Sequence, residues 1–328
     1  MGGGPTGAGP CQLARRSRVM SPRPEVNSVA RLRDTALFIL LALLWGGGFP
    51  ATEVGLTAVT PLALAALRYY VGAAVLLVGL TAVRGRGVLP TGAGDRIAVL
   101  AGGVFLMGGN GLLFLGQQSV TGGVASILFG LIPVLTAVGG TLILTDARPD
   151  AVELLGVGLG IAGVALVANP GSVGATPRGV ALVIAAVVAV SAGNVLVERA
   201  APESDGVVVA AWSMLLGGIV VHTFARATGE TLLVVVDASP AALGALLFLG
   251  VVASAVAYTV YFGLIRRIGA FRVSLVSYLV PVVATVVGVI ALSEPVGPAA
   301  VTGFLLVAGG FVFVQRTAIQ RVVTSSLS

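Results

Sequence analysis

Apolar residues fill ten long runs of this chain, and short polar segments rich in Gly and Pro separate the runs. Each run is close to the ~20 residues that an α-helix needs to cross the ~30 Å hydrocarbon core of a bilayer. Backbone amides in hydrocarbon must bond within the protein, so the runs are predicted to be helices and not strands. The predicted helices are residues 35–58, 62–83, 96–117, 122–144, 151–168, 178–197, 207–225, 240–265, 270–292 and 296–315.

Two of these runs are similar in sequence. Residues 126–140, SILFGLIPVLTAVGG, recur 148 residues later as residues 274–288, SLVSYLVPVVATVVG. The matching features are a serine, a proline in mid-run and a following acid: Ser126 and Ser274, Pro133 and Pro281, Asp146 and Glu294. A duplicated apolar unit that contains a proline is typical of transporters whose two halves face one central site.

Each half of the chain has five predicted helices, which is an odd number, so the second half must enter the membrane from the opposite side. The predicted fold class is therefore an all-α membrane protein with ten transmembrane helices, built as two inverted five-helix repeats. The repeats are residues 35–168 and 178–315, flanked by a polar, disordered cytoplasmic leader (1–34) and a cytoplasmic tail (316–328). Such repeats can exchange conformations and so give alternating access to a central cavity.

Composition and charge agree with this fold. Hydrophobic residues make up 57% of the chain and charged residues 10%, and the mean hydropathy is +1.05. The net charge of +6 comes from Arg residues at the ends of the apolar runs, so it indicates orientation and not a nucleic-acid partner. With a cytoplasmic N-terminus, sixteen Arg residues face the cytoplasm and only Arg178 and Arg226 face outward. The expected location is the plasma (inner) membrane, with both termini cytoplasmic.

The sequence lacks the residues that several kinds of chemistry need. The sequence has no lysine and no Gly-x-x-x-x-Gly-Lys motif, which excludes ATP-driven transport by this subunit alone. One cysteine, Cys11, and one histidine, His222, leave no metal-binding or catalytic constellation within the runs. We therefore expect neither an enzyme nor a cofactor. A channel or scaffold without substrate cycling stays open, as does a carrier of nucleotide sugars or phosphate esters, against which the lack of lysine argues mildly.

The first two runs carry a family resemblance. Residues 44–56, LWGGGFPATEVGL, and residues 61–69, PLALAALRY, resemble the EamA-type branch of the drug/metabolite transporter superfamily, and the likeness covers about residues 35–315. The family pattern has a small or amide residue where Gly48 stands and often a lysine where Glu53 stands. The resemblance implies a ten-helix inner-membrane carrier, often an exporter of amino acids, related metabolites or toxic small molecules.

Glycines and prolines within the runs are candidate hinges. Pro50 removes one amide from the first helix and frees the carbonyl near Gly46, and irregular backbone at this depth is tolerated where protein or a water-filled cavity satisfies it. Close helix packing through the glycines is the alternative. The predicted hinge residues are Gly46, Gly47, Pro50, Pro133 and Pro281.

Polar side chains within the runs are candidate cavity liners. Asn110 and Tyr258 match at the offset of 148 and suit hydrogen bonding to a zwitterion or an aromatic solute, although an interhelical bond is the alternative for each. Further polar side chains within the runs are Gln117, Gln118, Trp212 and Tyr261, for which an interfacial anchor is the alternative to an interhelical bond or a ligand contact. The predicted substrate-binding residues are Trp45, Gly48, Asn110, Ser126, Ser191, Asn194, Tyr258, Ser274 and Tyr278.

Charged residues near the first hairpin form the predicted coupling site. Glu53 and Arg68 lie at similar depth, and an unpaired charge in hydrocarbon is costly, so an ion pair that staples the hairpin is expected. The alternative has Arg68 attracting an anionic substrate group and Glu53 taking up protons. Asp95 is expected to cap the third helix, and Glu198 and Glu230, near predicted loops, are expected to be solvated.

The sequence as a whole favours a secondary transporter of small metabolites. The ten runs, the duplication and the helix-breaking glycines are explained together by alternating access. Export of amino acids or related small organic solutes is the expected activity. The expected partners are a small-molecule substrate and the lipid bilayer, without nucleic acid, and the expected assembly is a monomer or a homodimer.

Overall fold

The structure is a computed structural model that describes Gly2 and residues 24–85, 89–144, 151–167, 176–293 and 297–314. The chain forms two compact units, Met1–Ala36 and Leu37–Ser328. The described part of the first unit is helical, apart from Gly2. The features discussed below belong to the second unit.

Helices make up the regular structure of the described residues. We number them α1 to α10 and treat helical pieces that follow one another closely as one helix. Their bounds are α1, Pro24–Gly46 and Gly48–Leu56; α2, Pro61–Arg84; α3, Ala93–Ala101, the π-helical Gly102–Met107 and Gly108–Gly116; α4, Gly122–Phe129 and Ile132–Leu144; α5, Ala151–Val167; α6, Pro177–Ala200; α7, Gly206–Ala227; α8, Pro240–Leu247, the π-helical Phe248–Val256 and Ala257–Ile268; α9, Ala270–Ser274, the 3₁₀-helical Leu275–Tyr278 and Val280–Leu292; and α10, Pro298–Val314. A short 3₁₀ helix, Leu232–Asp237, lies between α7 and α8.

Eight helical stretches of the described chain are long and apolar enough to cross a membrane. They belong to α1–α4 and α6–α9, whereas α5 and α10 have 17 residues each. The chain is therefore a multi-pass, all-α membrane protein. The shorter α5 and α10 pack closely on each other, since a Cβ atom added to Gly163 would lie 2.6 Å from the carbonyl oxygen of Gly303. Small residues allow this approach of two helix backbones.

Two kinds of helix distortion occur in both halves of the chain. The π-helical residues 102–107 of α3 correspond, at the offset of 148, to residues inside the π-helical part of α8. A break also precedes Pro133 in α4 and Pro281 in α9, so each proline lies in the first turn of a new helical piece. A proline is tolerated there because the first amides of a helix have no partner within it.

Helix α1 is interrupted at Gly47, three residues before Pro50. The interruption is small, because the Gly47 amide still donates to Leu43 O at 3.1 Å and the Gly47 carbonyl accepts from Ala51 N at 3.2 Å. A Cβ atom on Gly46 would lie 3.2 Å from Val280 O of α9, so the glycines support close packing here. A hinge role for these residues stays a prediction.

Two carboxylates near the ends of α1 and α6 cap the beginnings of other helices. Glu53 accepts from Gly122 N, the first residue of α4. Glu198 accepts from Ala270 N, the first residue of α9, at 3.3 Å. We call Glu53 and Glu198 the capping carboxylates. Each joins the end of the first helix of its half to the start of the fourth helix.

A second pair of carboxylates joins other helix ends. Asp95, in the first turn of α3, accepts from Glu203 N and Ser204 N at 2.9 Å each and from Ser204 Oγ at 2.6 Å, just before α7 begins. Glu230, after α7, accepts from Leu62 N at 2.9 Å and from the next amide at 3.0 Å, in the first turn of α2. The expectation that Glu198 and Glu230 are simply solvated is therefore wrong.

Candidate functional site

A cavity lies among helices α1, α2, α3, α4, α6, α8 and α9. It has about 730 Å³ of space between protein atoms, including space on its open side. The residues on its wall that carry a polar group are Trp45, Thr52, Arg68, Asn110, Gln117, Tyr258, Tyr261, Ser274 and Ser277.

Many of the predicted site residues meet at this cavity. Those that line it are Trp45, Gly48, Arg68, Asn110, Tyr258 and Ser274. Others lie outside its lining. Ser126 donates to Gly123 O at 2.7 Å within α4, and Ser191 donates to Ile132 O at 3.4 Å. Tyr278 is partly buried in the 3₁₀ turn of α9.

An aromatic wall forms one side of the cavity. The Trp45 ring centroid lies 5.4 Å from that of Tyr258 and 4.9 Å from that of Tyr261. Trp45 Nε1 also donates to Ala253 O at 3.2 Å, within the π-helical part of α8. Because these rings contact one another, they form a rigid apolar surface with polar edges that suits a ring or branched side chain of a solute.

Two side-chain hydrogen bonds join the helices around this wall. Asn110 Nδ2 donates to Tyr258 Oη at 2.8 Å and to Leu106 O at 3.0 Å. Tyr261 Oη donates to Asn194 Oδ1 at 2.7 Å, which buries Asn194 behind the wall. These are interhelical bonds of the kind that the sequence left as an alternative. They also fix the orientation of both tyrosines toward the cavity.

Arg68 is the charged residue of the described cavity wall and is 6% exposed. Its Nε donates to Ser254 Oγ at 2.9 Å, and its Nη2 donates to Ala253 O at 3.4 Å. The guanidinium carbon lies 5.0 Å from the Tyr69 ring centroid and 5.3 Å from that of Phe114, which adds cation–π stabilisation. The hydrogen bonds of Arg68 therefore go to α8.

Arg68 and Glu53 were predicted to pair with each other. The Glu53 carboxylate bonds to the amide that begins α4, and the Arg68 guanidinium bonds to α8. The ion pair between the two stays a prediction. Asp146 and Glu294, the acids that follow the two repeat copies, lie outside the described residues.

Gln117 belongs to the cavity, although an interfacial anchor was one alternative for it. Its side chain is 6% exposed and its Nε2 donates to Phe49 O at 3.4 Å. Within the described structure, its Oε1 has no hydrogen-bond partner. The sequence spacing indicated this position for Gln117, because Asn110, Leu113 and Gln117 follow one face of α3 at helical intervals. Tyr261, for which an interfacial anchor was also one alternative, is buried as well.

The described residues contain no cluster of side chains that could bind a metal ion. Across the ranges that the structure describes, no group of three or more His, Cys, Asp or Glu side chains is close enough to hold a metal ion. Charge at the cavity therefore comes from Arg68 on its described wall.

Known proteins resemble this chain over most of its length. The sequence profile of the EamA-like transporter family matches residues 35–169 and 177–316. An Escherichia coli (strain K12) protein named "Uncharacterized inner membrane transporter YedA" is 28% identical over 256 residues, covering 77% of this chain and 80% of that protein. A Streptantibioticus cattleyicolor protein named "Probable terminal-alkyne amino-acid exporter" is 26% identical over 293 residues, covering 86% of this chain and 93% of that protein.

A solved crystal structure has the same fold. It superposes with a TM-score of 0.64 and covers 88% of this chain and 98% of that chain. The sequence identity is 22%, so this likeness concerns the fold alone.

Proposed function

Because the chain belongs to the EamA-like transporter family, we propose that it exports amino acids or related small organic solutes across the inner membrane by alternating access. Membership of this family makes it a membrane transporter, and the solute class, direction and cycle are our proposal. The observation that carries the proposal is the cavity, which places a buried cation, hydrogen-bonding groups and an aromatic wall among membrane-spanning helices. The printed name of the Streptantibioticus relative supports amino-acid export.

We further propose that α1–α5 and α6–α10 are inverted five-helix repeats and that all ten helices cross the membrane. The equivalent π-helical parts of α3 and α8 and the equivalent breaks in α4 and α9 support this relation. The Asn110–Tyr258 hydrogen bond supports it as well, because two residues that match between the repeats contact each other only near the axis that relates the repeats.

The capping carboxylates provide the two gates in this proposal. With a cytoplasmic N-terminus, Glu53 and the start of α4 lie at the outer face, and Glu198 and the start of α9 lie at the cytoplasmic face. Release of one contact at a time opens the cavity to one side. Gly46, Gly47, Pro50, Pro133 and Pro281 are the proposed hinges about which the released helices bend.

Glu53 is also the proposed site of proton coupling. A protonated carboxyl group is a weaker acceptor for the Gly122 amide than a carboxylate, and it loses its attraction to the positive end of α4. Proton uptake from outside thus favours the outward-open form, and export is coupled to proton entry when this proton leaves Glu53 toward the cytoplasm before the contact to α4 re-forms. If Glu53→Gln leaves pH-dependent flux unchanged, proton coupling does not run through Glu53; if flux of the unchanged protein does not respond to the pH gradient, facilitated diffusion is the mechanism.

The test is solute flux in proteoliposomes, with labelled amino acids and with and without an imposed pH gradient. We expect saturable counterflow of at least one solute, in which Trp45→Phe lowers the affinity. Trp212→Phe is the matched control, because Trp212 is the other tryptophan of the chain and does not line the cavity. Absence of saturable exchange, or a conductance that persists without solute cycling, would contradict a carrier and favour a channel.

A further inference from the structure

The charge balance of the cavity is uneven. Arg68 places a formal positive charge on the wall, and no Asp or Glu is among the described lining residues. The hydrogen bonds of Arg68 go to Ser254 Oγ and Ala253 O, which are both neutral acceptors. A buried cation without an anion is unfavourable in a low-dielectric layer, so a ligand that brings a negative group would be stabilised there.

Arg68 has donors left for such a group. A guanidinium carries five N–H donors, and the hydrogen bonds to Ser254 and Ala253 use one on Nε and one on Nη2. The two bonds and the adjacent Tyr69 and Phe114 rings also hold the guanidinium plane in place. A planar, positioned guanidinium favours a planar carboxylate, which accepts two of its donors at once.

A substrate ammonium would find a poorer environment. Transfer of a charged amine from water needs a charged acceptor or several good hydrogen bonds, and the described wall offers no carboxylate. It does offer Gln117 Oε1, a buried acceptor without a partner among the described residues. One neutral N–H donor, such as that of an amide, satisfies this oxygen without the desolvation cost of a charge.

Apart from Thr52, Asn110, Ser274, Ser277 and the polar edges of the aromatic wall, the remaining wall is apolar. Phe49, Leu113, Phe129, Ile132, Val276 and Val280 line the cavity together with the aromatic wall. A substrate body that is aromatic or branched would bury its surface here, and a strongly polar body such as a sugar would lose hydrogen bonds to water.

We infer that the preferred solutes are small organic monoanions with an apolar body, whose carboxylate contacts Arg68 and whose neutral N–H group contacts Gln117. N-acyl derivatives of apolar amino acids have this chemistry. The inference rests on the proposed transport function, because it assigns a substrate class to the same cavity. Within the proposed class of amino acids and related solutes, the preferred solute is then an anion and not a zwitterion.

The experiment compares three solutes that share one phenyl ring and differ in charge: N-acetyl-L-phenylalanine, L-phenylalanine and 2-phenylethylamine. Binding to the full chain in detergent is followed by tryptophan fluorescence, and counterflow is followed in proteoliposomes. We expect the N-acetyl anion to bind at least tenfold more tightly than the zwitterion, and the amine to bind weakest. Trp212→Phe is used for fluorescence, so that the signal comes from Trp45 alone.

Substitutions at two residues locate the contacts. Arg68→Gln should weaken binding of the anion at least tenfold without weakening binding of the amine, and Arg68→Lys, which keeps the charge, should recover part of the affinity for the anion. Gln117→Leu should remove the preference for N-acetyl-L-phenylalanine over 3-phenylpropionate, which lacks the N–H group. The Gln117 variant also keeps the test valid if the Arg68 variants fail to fold.

The outcomes separate the two proposals. Equal or tighter binding of L-phenylalanine, or an anion preference that survives Arg68→Gln, overturns the inferred substrate class and leaves the transport proposal intact. Absence of counterflow for this panel and for the labelled amino acids overturns both.

Discussion

The Glu198 contact gives a quantitative test of the proposed gates. Its carboxylate Oε2 lies 3.3 Å from Ala270 N, which is longer than the ~2.7–2.9 Å of a strong charge-assisted hydrogen bond. The side chain is also partly exposed. We therefore assign about 1 kcal/mol to the negative charge of Glu198 at the start of α9, because this charge is what a glutamine lacks while it keeps an acceptor oxygen. Loss of 1 kcal/mol shifts a two-state equilibrium about fivefold.

The perturbation is Glu198→Gln, and the assay is labelling of one cysteine in the cavity. Cys11→Ser removes the natural thiol, and Ser277→Cys places a new one on the cavity wall. With a membrane-impermeant maleimide, we expect labelling from the cytoplasmic side to become about fivefold faster. Labelling from the outside should not accelerate. Glu53→Gln should give the opposite pattern, with faster labelling from outside.

Glu203→Gln is the matched control, because it removes an exposed acid close to the same end of α6 without touching α9. It should leave both rates unchanged. The reasoning is refuted if Glu198→Gln and Glu53→Gln accelerate labelling from the same face, because the two contacts then do not lie at opposite ends of the cavity. It is also refuted if the control matches Glu198→Gln.

Three further predictions concern packing and the cavity. Asp95→Ala removes the acceptor of several hydrogen bonds at a site that is 2% exposed, so it should cost about 3 kcal/mol and lower the thermal unfolding midpoint in detergent by several degrees. Gly206→Ala should cost about 1–3 kcal/mol through overpacking and so lower the same midpoint, since a Cβ atom would lie 2.6 Å from Gly263 N; Gly79→Ala, in open space, should not lower it. Tyr258→Phe removes one hydrogen bond to an amide that keeps a second acceptor, so solute affinity in counterflow should fall only about fivefold, and an unchanged affinity would place the site elsewhere.

Hydropathy located the helices because each one must bury or present apolar surface along most of its length. The ends were less predictable. Helix α3 begins at Ala93, before the predicted residue 96, because Asp95 belongs to its first turn. Helix α8 continues to Ile268, beyond the predicted residue 265. Its last turn contains Arg266 and Arg267, whose long side chains let the helix extend past the apolar run.

The cavity was predictable in part. Asn110 and Tyr258 were identified from their offset, and Arg68 from its position inside an apolar run. The partner of Arg68 was not predictable, because Ser254 lies in the π-helical part of α8. A π-helical turn inserts an extra residue and rotates the faces that follow, and a periodic pattern of apolar residues does not register that rotation. Gln117 was missed because polar groups near a helix end fit an interfacial anchor equally well.

The capping carboxylates make equivalent contacts in the two halves of the chain, although the sequence offset of 148 does not align them. At the offset of 148, Glu53 aligns with Ala201 and not with Glu198, because the segments that join the helices differ in length between the halves. Yet both carboxylates bond to the first amide of the equivalent helix, α4 or α9. Each contact also has a glycine beside it: a Cβ atom would lie 3.0 Å from the Glu53 carboxylate at Gly122, the bonded residue itself, and 3.1 Å from the Glu198 carboxylate at Gly269, the residue before the bonded one, where φ is +85°. Two sites with the same helix ends, the same acid and a glycine within one residue of the bonded amide support the proposal that one structural element is present in both halves, as inverted repeats would have.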